Sequence, residues 1–256
     1  MTTRGVRLLS IVSAYKIRSM AVGSKSFPRD VPSEPWVSNA ETGKGTGTVQ
    51  SSAATLLQIA LGYMLIEVVL WTPLGRFHTG VMILATVCIF LFVAFSDYST
   101  YELGLRLPSA QRAFTILAIG LAAAAMIIAV ATLRGQPIPA NPGWPRWNGV
   151  WQYAIWAIVQ QFILQTFFYL RLESILGSRW AVWVAAVLFA SAHIPNPVLT
   201  VATLLGALFF CEMFRRYRSI YPLGIVHAML GLSLAASFPD ALLRHMRVGL
   251  GYLQFH

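Results

Sequence analysis

Charged residues are scarce in this chain. Asp, Glu, Lys and Arg make up only 11% of its 256 residues, whereas a soluble domain carries about 25%. The shortage is uneven, because residues 1–50 have a soluble composition and the rest of the sequence consists mostly of long apolar runs. This distribution excludes an ordinary water-soluble domain and points to a membrane protein.

Acidic residues are the scarcest charged class. The chain has 9 of them against 19 Lys and Arg, which gives a net charge of +10. A basic excess of this size can indicate binding to nucleic acid. Here, however, the basic residues lie between apolar runs, as the loop charges of membrane proteins do. We therefore expect the lipid bilayer as a partner and no nucleic acid.

Cysteine and the common cofactor motifs are also nearly absent. The two cysteines, Cys88 and Cys211, lie inside apolar runs without a metal-spaced neighbour, so we interpret them as small core residues. The sequence has no HExxH motif, no Gly-rich phosphate loop and no internal repeat. These absences argue against a zincin-type protease, a nucleotide-dependent enzyme and a repeat protein.

Seven apolar segments have about the length of a membrane span, which is roughly 20 residues. We therefore predict an all-α fold, a polytopic integral membrane helical bundle with about seven transmembrane helices. The fifth segment is short, and the prolines of "HIPNP" end it. The predicted spans are 53–71, 79–95, 113–133, 150–170, 180–194, 198–214 and 220–237.

The same pattern divides the chain into four parts. We predict a disordered, basic N-terminal tail over 1–52, because its second half is rich in Gly, Ser, Thr and Pro. Accessory transmembrane helices occupy 53–135, a catalytic-type core occupies 149–238, and 239–256 form a C-terminal tail.

Basic residues also predict the orientation. If the N-terminus is cytoplasmic, fourteen of the 19 Lys and Arg residues fall on the cytoplasmic side, as the positive-inside rule requires. We therefore predict an N-terminus in the cytoplasm and a C-terminus outside. The excess of Arg over Lys is a weak indication of a GC-rich genome, and we expect the inner membrane of a bacterium.

Strongly polar side chains at membrane depth are costly, so they are candidates for function. The fourth span contains Gln160, Gln161 and Gln165, and helical steps of about 100° put the last two on one face. The fifth span ends near His193, and the seventh contains His227. Hydrogen bonding between helices is the simpler explanation for any single Gln, whereas the combination with two His favours a functional site.

The order and spacing of these residues resemble the CPBP family, which includes type II CAAX prenyl endopeptidases and bacterial abortive-infection or bacteriocin-processing proteins. The family carries EExxxR, FxxxH and HxxxN motifs on successive helices. "QQFILQ", "FASAH" and "HAMLG" stand at these positions in this chain. The resemblance implies catalytic positions at Gln160, Gln161, Gln165, His193 and His227, with Phe189, Asn196 and Gly231 in support.

This resemblance implies an intramembrane endopeptidase that acts on a membrane-associated or lipidated protein. The family's Glu and a His are thought to activate water, but an amide cannot act as a general base near neutral pH. Loss of both Glu and Arg is consistent with an uncharged site, since a lone buried Arg would be costly. The alternative is a catalytically degenerate member that binds a membrane partner in immunity or protein maturation, without hydrolysis.

Other groups could supply what these substitutions remove. Gly231 lacks the amide that could hold an oxyanion, and Asn196 or Gln160 could replace it. Glu67 is the acidic residue well inside a span and could serve as the base. No metal is assigned, because zinc sites use three or four protein ligands; a zinc ion bound by His193 and His227 stays an alternative.

Overall fold

The computed structural model describes residues 51–140 and 147–254, and each regular element within these ranges is helical. The predicted N-terminal tail lies outside the described residues, except for its last two positions. A π-helical segment, Ile163–Tyr169, joins the fourth helix to the fifth. The helices are α1 (Ser52–Trp71), α2 (His78–Ala94), α3 (Ala110–Leu133), α4 (Trp147–Phe162), α5 (Leu170–Leu176), α6 (Ser178–Ser191), α7 (Pro197–Tyr217), α8 (Tyr221–Ser237), α9 (Asp240–Leu243) and α10 (Gly249–Leu253).

The helical membrane bundle is confirmed, but the count of seven spans is not. Five helical stretches are long and apolar enough to cross a membrane: α1, Gly75–Ala94, α3, Gly149–Leu176 and α7. A sixth is formed if α8 and Asp240–Met246, which meet at a bend of 120°, count as one span. Helix α6 has 14 residues and is about 21 Å long, which is too short for a hydrocarbon layer of about 30 Å.

The first three helices present large apolar side chains at the surface. Leu57, Met64, Leu84 and Phe114 are each at least 60% exposed. Soluble monomers rarely expose a continuous surface of this kind. Lipid contact explains it, because acyl chains are as apolar as the side chains they cover.

Helix α8 packs against both α3 and α4. Glycines permit the close approach, because a Cβ on Gly120 would overlap Val226 and one on Gly224 would overlap Ile158. Small residues have this role at many helix interfaces in membranes. The packing brings His227 of α8 next to the glutamines of α4.

Contacts at the helix ends show which connections share one end of the bundle. The Ile220 amide donates to the Gly104 carbonyl at 3.0 Å, and Arg218 pairs with Glu173 at 2.6 Å. At the opposite end, the Gly249 amide donates to the carbonyl of residue 194 at 2.9 Å. The connections α2–α3, α5–α6 and α7–α8 therefore lie together, which is the grouping that the positive charges predict for the cytoplasmic side.

Arg171 directly follows the predicted span 150–170, so the charge count places it in a cytoplasmic loop, and the structure differs. Arg171 lies in α5 and is 2% exposed. Its guanidinium donates to Gln58 Oε1 at 2.8 Å and to the Phe92 carbonyl at 2.9 Å, and it lies over the Phe167 ring. Helices α1 and α2 supply these partners, so the cation joins the accessory helices to the core.

Labelling of single cysteines tests the predicted orientation. In a background without Cys88 and Cys211, Leu107→Cys and Arg216→Cys should resist an impermeant thiol reagent in intact cells, whereas Gln136→Cys should react. All three positions are exposed, so burial cannot explain protection. Permeabilised cells are the control, in which all three should react. Reaction at 107 and 216 with protection at 136 would reverse the orientation.

Candidate functional site

A cavity of about 750 Å³ lies among α4, α6, α7, α8 and the C-terminal segment. Five of the eight predicted site residues line it: Gln160, Phe189, His193, His227 and Gly231. Gln161 and Gln165 are fully buried. Gln161 contacts the lining residue His227, and Gln165 contacts Gln161. Asn196 is the predicted residue that the structure does not bring to this site.

His193 follows α6, and the carbonyl of Phe189 determines which nitrogen of the neutral imidazole carries the proton. Its Nδ1 lies 2.7 Å from the Phe189 carbonyl oxygen. A carbonyl oxygen can only accept, so Nδ1 carries the proton and donates it. In the neutral imidazole the lone pair is then on Nε2. The FxxxH spacing thus places a basic nitrogen at the cavity through a contact one helical turn long.

His227 has the opposite arrangement. Its Nδ1 lies 3.1 Å from Gln161 Nε2. An amide nitrogen can only donate, so Nδ1 accepts and the imidazole proton lies on Nε2. The Phe210 ring stacks on the imidazole at 5.4 Å, and the Phe189 ring meets it edge-on at 6.0 Å. Two aromatic rings and one amide therefore hold a hydrogen-bond donor at the cavity.

The glutamines form an uncharged chain behind His227. Gln165 Nε2 donates to Gln161 Oε1 at 3.1 Å across one helical turn, and both residues have no exposed surface. Gln165 Oε1 is buried and makes no hydrogen bond to a described residue. A neutral chain avoids the several kcal/mol per ion that burial of unpaired charges costs, at the expense of losing a proton acceptor.

Asn196 has a structural role instead of the predicted supporting one. Its Oδ1 accepts from the Leu199 amide at 3.1 Å and caps α7. Its Nδ2 donates to the carbonyls of Leu243 and Arg247. Because both ends of the amide are used in this way, Asn196 anchors the C-terminal segment and is not free to hold an oxyanion.

The carboxylates also differ from expectation. Glu67 does not line the cavity, and its buried Oε1 makes no hydrogen bond to a described residue. Asp240, which the sequence did not single out, lines the cavity and pairs with His245 Nδ1 at 2.8 Å. No local motif marks this pair, because the contacts of Asn196 bring the C-terminal segment to the site.

Tyr153 and Trp156 also line the cavity, and neither was predicted from the sequence. Their spacing along α4 could have indicated both. Trp156 precedes Gln160 by four positions and Tyr153 precedes it by seven, which puts all three on one helical face. Helical periodicity around Gln160 would have found both.

The donor set does not fit a zinc site. Within the described ranges, no three His, Cys, Asp or Glu side chains lie close enough to share a metal ion. Of the predicted pair, only His193 offers a lone pair, on Nε2, because His227 Nε2 carries the imidazole proton.

Comparison with family models supports the resemblance. Residues 142–233 match the Rce1-like model, described as the type II CAAX prenyl endopeptidase Rce1-like family. The match covers less than half of the chain and extends from α4 into α8. No curated protein and no solved structure matches the chain. The matched segment contains both histidines and the three glutamines, whereas Asp240 and His245 lie beyond it.

Leucine substitutions distinguish the buried Gln161 from Gln160, which lines the cavity. Gln161→Leu leaves His227 Nδ1 without its donor and Gln165 Nε2 without its acceptor. We expect a loss of about 1–3 kcal/mol in unfolding free energy and a large loss of function. Gln160→Leu should leave stability nearly unchanged and impair function, because Gln160 faces the cavity.

Thermal unfolding in detergent and the cleavage assay described below measure these effects. Gln152→Leu is the matched control, since Gln152 lies on the same helix and is exposed. Normal function in both Gln160→Leu and Gln161→Leu would remove the glutamines from the site.

Proposed function

We propose that this chain is an intramembrane endopeptidase that cleaves a membrane-associated or lipidated protein, in the inner membrane of a bacterium. The opposite tautomers of His193 and His227 in the cavity are the observation that carries the proposal. His193 presents a lone pair on Nε2, and His227 presents a proton on Nε2. Amide hydrolysis needs this combination of a base for water and a donor for the carbonyl oxygen.

The proposed reaction starts with water held at His193. His193 Nε2 takes a proton from the water as its oxygen attacks the peptide carbonyl carbon. The His227 Nε2–H donates a hydrogen bond to the oxygen that becomes negative. The C–N bond then breaks, and the proton on His193 passes to the leaving amine. Gln160, at the cavity wall, orients the water or the substrate backbone through its neutral amide.

The cavity suits a substrate with a large apolar part. Its volume falls within the range of about 300–1,000 Å³ typical of ligand pockets. Trp156, Leu230 and Leu234 are among its lining residues. The family description names CAAX prenyl endopeptidases, whose substrates combine an isoprenoid with a short peptide. We propose a lipidated peptide of this class as the substrate.

The second candidate is a binding protein without hydrolysis. The glutamine chain favours it, because Gln161 and Gln165 are fully buried and neither amide can take up a proton. The same cavity would then hold a lipidated partner. The two candidates share the ligand class and differ in whether a peptide bond breaks.

A reconstituted assay distinguishes them. Purified protein in liposomes is incubated with a farnesylated peptide that has three residues after the modified cysteine, and both release of the three residues and binding are measured. We expect release that depends on His193. Saturable binding without release would support the binding protein. Neither binding nor release would contradict the proposed ligand class.

A further inference from the structure

Tyr153 lies on α4 and lines the same cavity as His193 and His227. Tyr153 is half-buried, and its hydroxyl makes no hydrogen bond to any residue of the described ranges. A hydroxyl that faces a cavity in this state is available to a ligand.

Gly231 explains how the hydroxyl reaches its position. A Cβ on residue 231 would overlap Tyr153 Oη and would lie only 2.6 Å from Cζ and 2.7 Å from Cε1. Real Cβ atoms do not approach other atoms so closely. The end of the Tyr153 side chain therefore occupies the space that a side chain at position 231 would fill.

This position places the hydroxyl one helical turn from His227 along α8. Gly231 follows His227 by four residues in α8, so the two residues lie on one face, one turn apart. The phenol and the imidazole consequently reach the cavity from the same side. A carbonyl oxygen that accepts from His227 Nε2–H would have the phenol as its next donor along the helix.

We propose that Tyr153 is a catalytic residue whose hydroxyl donates a second hydrogen bond to the substrate carbonyl oxygen, beside that of His227. This inference rests on the proposed peptidase function. The negative charge that develops on the carbonyl oxygen needs fixed donors aimed at it. The phenol supplies one and keeps its proton throughout, so no further proton balance arises.

A purely structural role would come from the ring alone, which fills the space above Gly231. Tyr153→Phe separates the two roles, because it keeps the ring and removes the hydroxyl. Loss of one oxyanion donor lowers kcat by about 10²–10³-fold. We expect a decrease of that order in kcat, with KM changed by less than about threefold. Tyr101→Phe, at an exposed position in the α2–α3 connection, should have no effect.

Exchange of the two side chains gives an independent test. Gly231→Asn alone should lose activity, because its Cβ displaces the tyrosine. Tyr153→Ala opens that space, so the double variant Tyr153→Ala/Gly231→Asn should be at least about tenfold more active than Tyr153→Ala. An asparagine amide would then donate from the position that the phenol has left. If the double variant is no more active than Tyr153→Ala, this result contradicts the inference that the Tyr153 hydroxyl and a side chain at residue 231 would occupy the same space.

Binding of a phosphinate version of the farnesylated peptide keeps the two proposals apart. The phosphinate oxygen imitates the tetrahedral oxyanion, and its affinity does not require turnover. Tyr153→Phe should weaken phosphinate binding at least tenfold and leave binding of the uncleaved peptide nearly unchanged. If the wild type cleaves the peptide and Tyr153→Phe changes neither kcat nor phosphinate affinity, the role of the tyrosine alone is overturned. If the wild type does not cleave the peptide, the peptidase function is overturned. Unchanged phosphinate affinity in Tyr153→Phe would then overturn the donor role of the tyrosine as well.

Discussion

Replacement of His193 by glutamine should lower the rate of peptide cleavage by about 10²–10⁴-fold, which is the usual contribution of a positioned general base. Glutamine keeps the size and hydrogen bonding of the site, but it cannot take a proton from water near neutral pH. His227→Gln should also lose most of the rate, since the amide cannot keep both the contact to Gln161 and the Nε2–H donor position. Release of the C-terminal peptide by reconstituted protein is the measurement.

His78→Gln is the matched control, because His78 begins α2 at an exposed position and does not line the cavity. Each variant should unfold at nearly the wild-type temperature, which separates a catalytic loss from misfolding. Full biological function in both His193→Gln and His227→Gln would contradict the peptidase and leave the binding protein.

The largest expected effect on stability is at Arg171. Arg171→Ala removes one of the largest fully buried side chains and leaves Gln58 Oε1 and the Phe92 carbonyl without their donor. Truncation of a large buried side chain costs about 2–5 kcal/mol, and relief of the desolvated charge offsets only part of this. We expect a loss within that range, measured as thermal or denaturant unfolding in detergent.

Arg179→Ala is the control, since Arg179 is an exposed residue just after the start of α6, and its effect should stay within about 0.5 kcal/mol. Gln58→Leu should destabilise by about 1.5–3 kcal/mol, because it removes a neutral acceptor from a charged donor. Equal stability of Arg171→Ala and Arg179→Ala would show that the buried contacts contribute nothing net.

The positions of the charged residues could be predicted from the sequence only in part. The grouping of the connections followed correctly from the order of apolar runs, because successive helices must alternate between the two ends of a bundle. Arg171 was nevertheless taken for a loop charge. Its burial depends on acceptors in α1 and α2, one of them 113 positions away, and no local pattern shows that.

The residues of the site could also be predicted from the sequence only in part. The FxxxH spacing places Phe189 and His193 one helical turn apart, and the structure has a contact between them at that spacing. Asn196 was predicted to support the site, but in the structure it caps α7. At Gly231 the sequence indicated only a missing amide, whereas in the structure the end of the Tyr153 side chain occupies that space. In both cases the partner comes from another helix, and its identity is a property of packing.

The sequence by itself determined the membrane class, the helical fold and the polar residues of the core, since runs of about 20 apolar residues and polar groups at membrane depth are local features with few alternative explanations. Only the tertiary structure decided which nitrogen of His227 is protonated, which glutamines face the cavity and how the C-terminal segment closes it. The His227 tautomer depends on a hydrogen bond to Gln161, which is 66 positions away, and the C-terminal segment is held by the contacts of Asn196. Helix packing determines such bonds, and the periodicity of the sequence does not predict them.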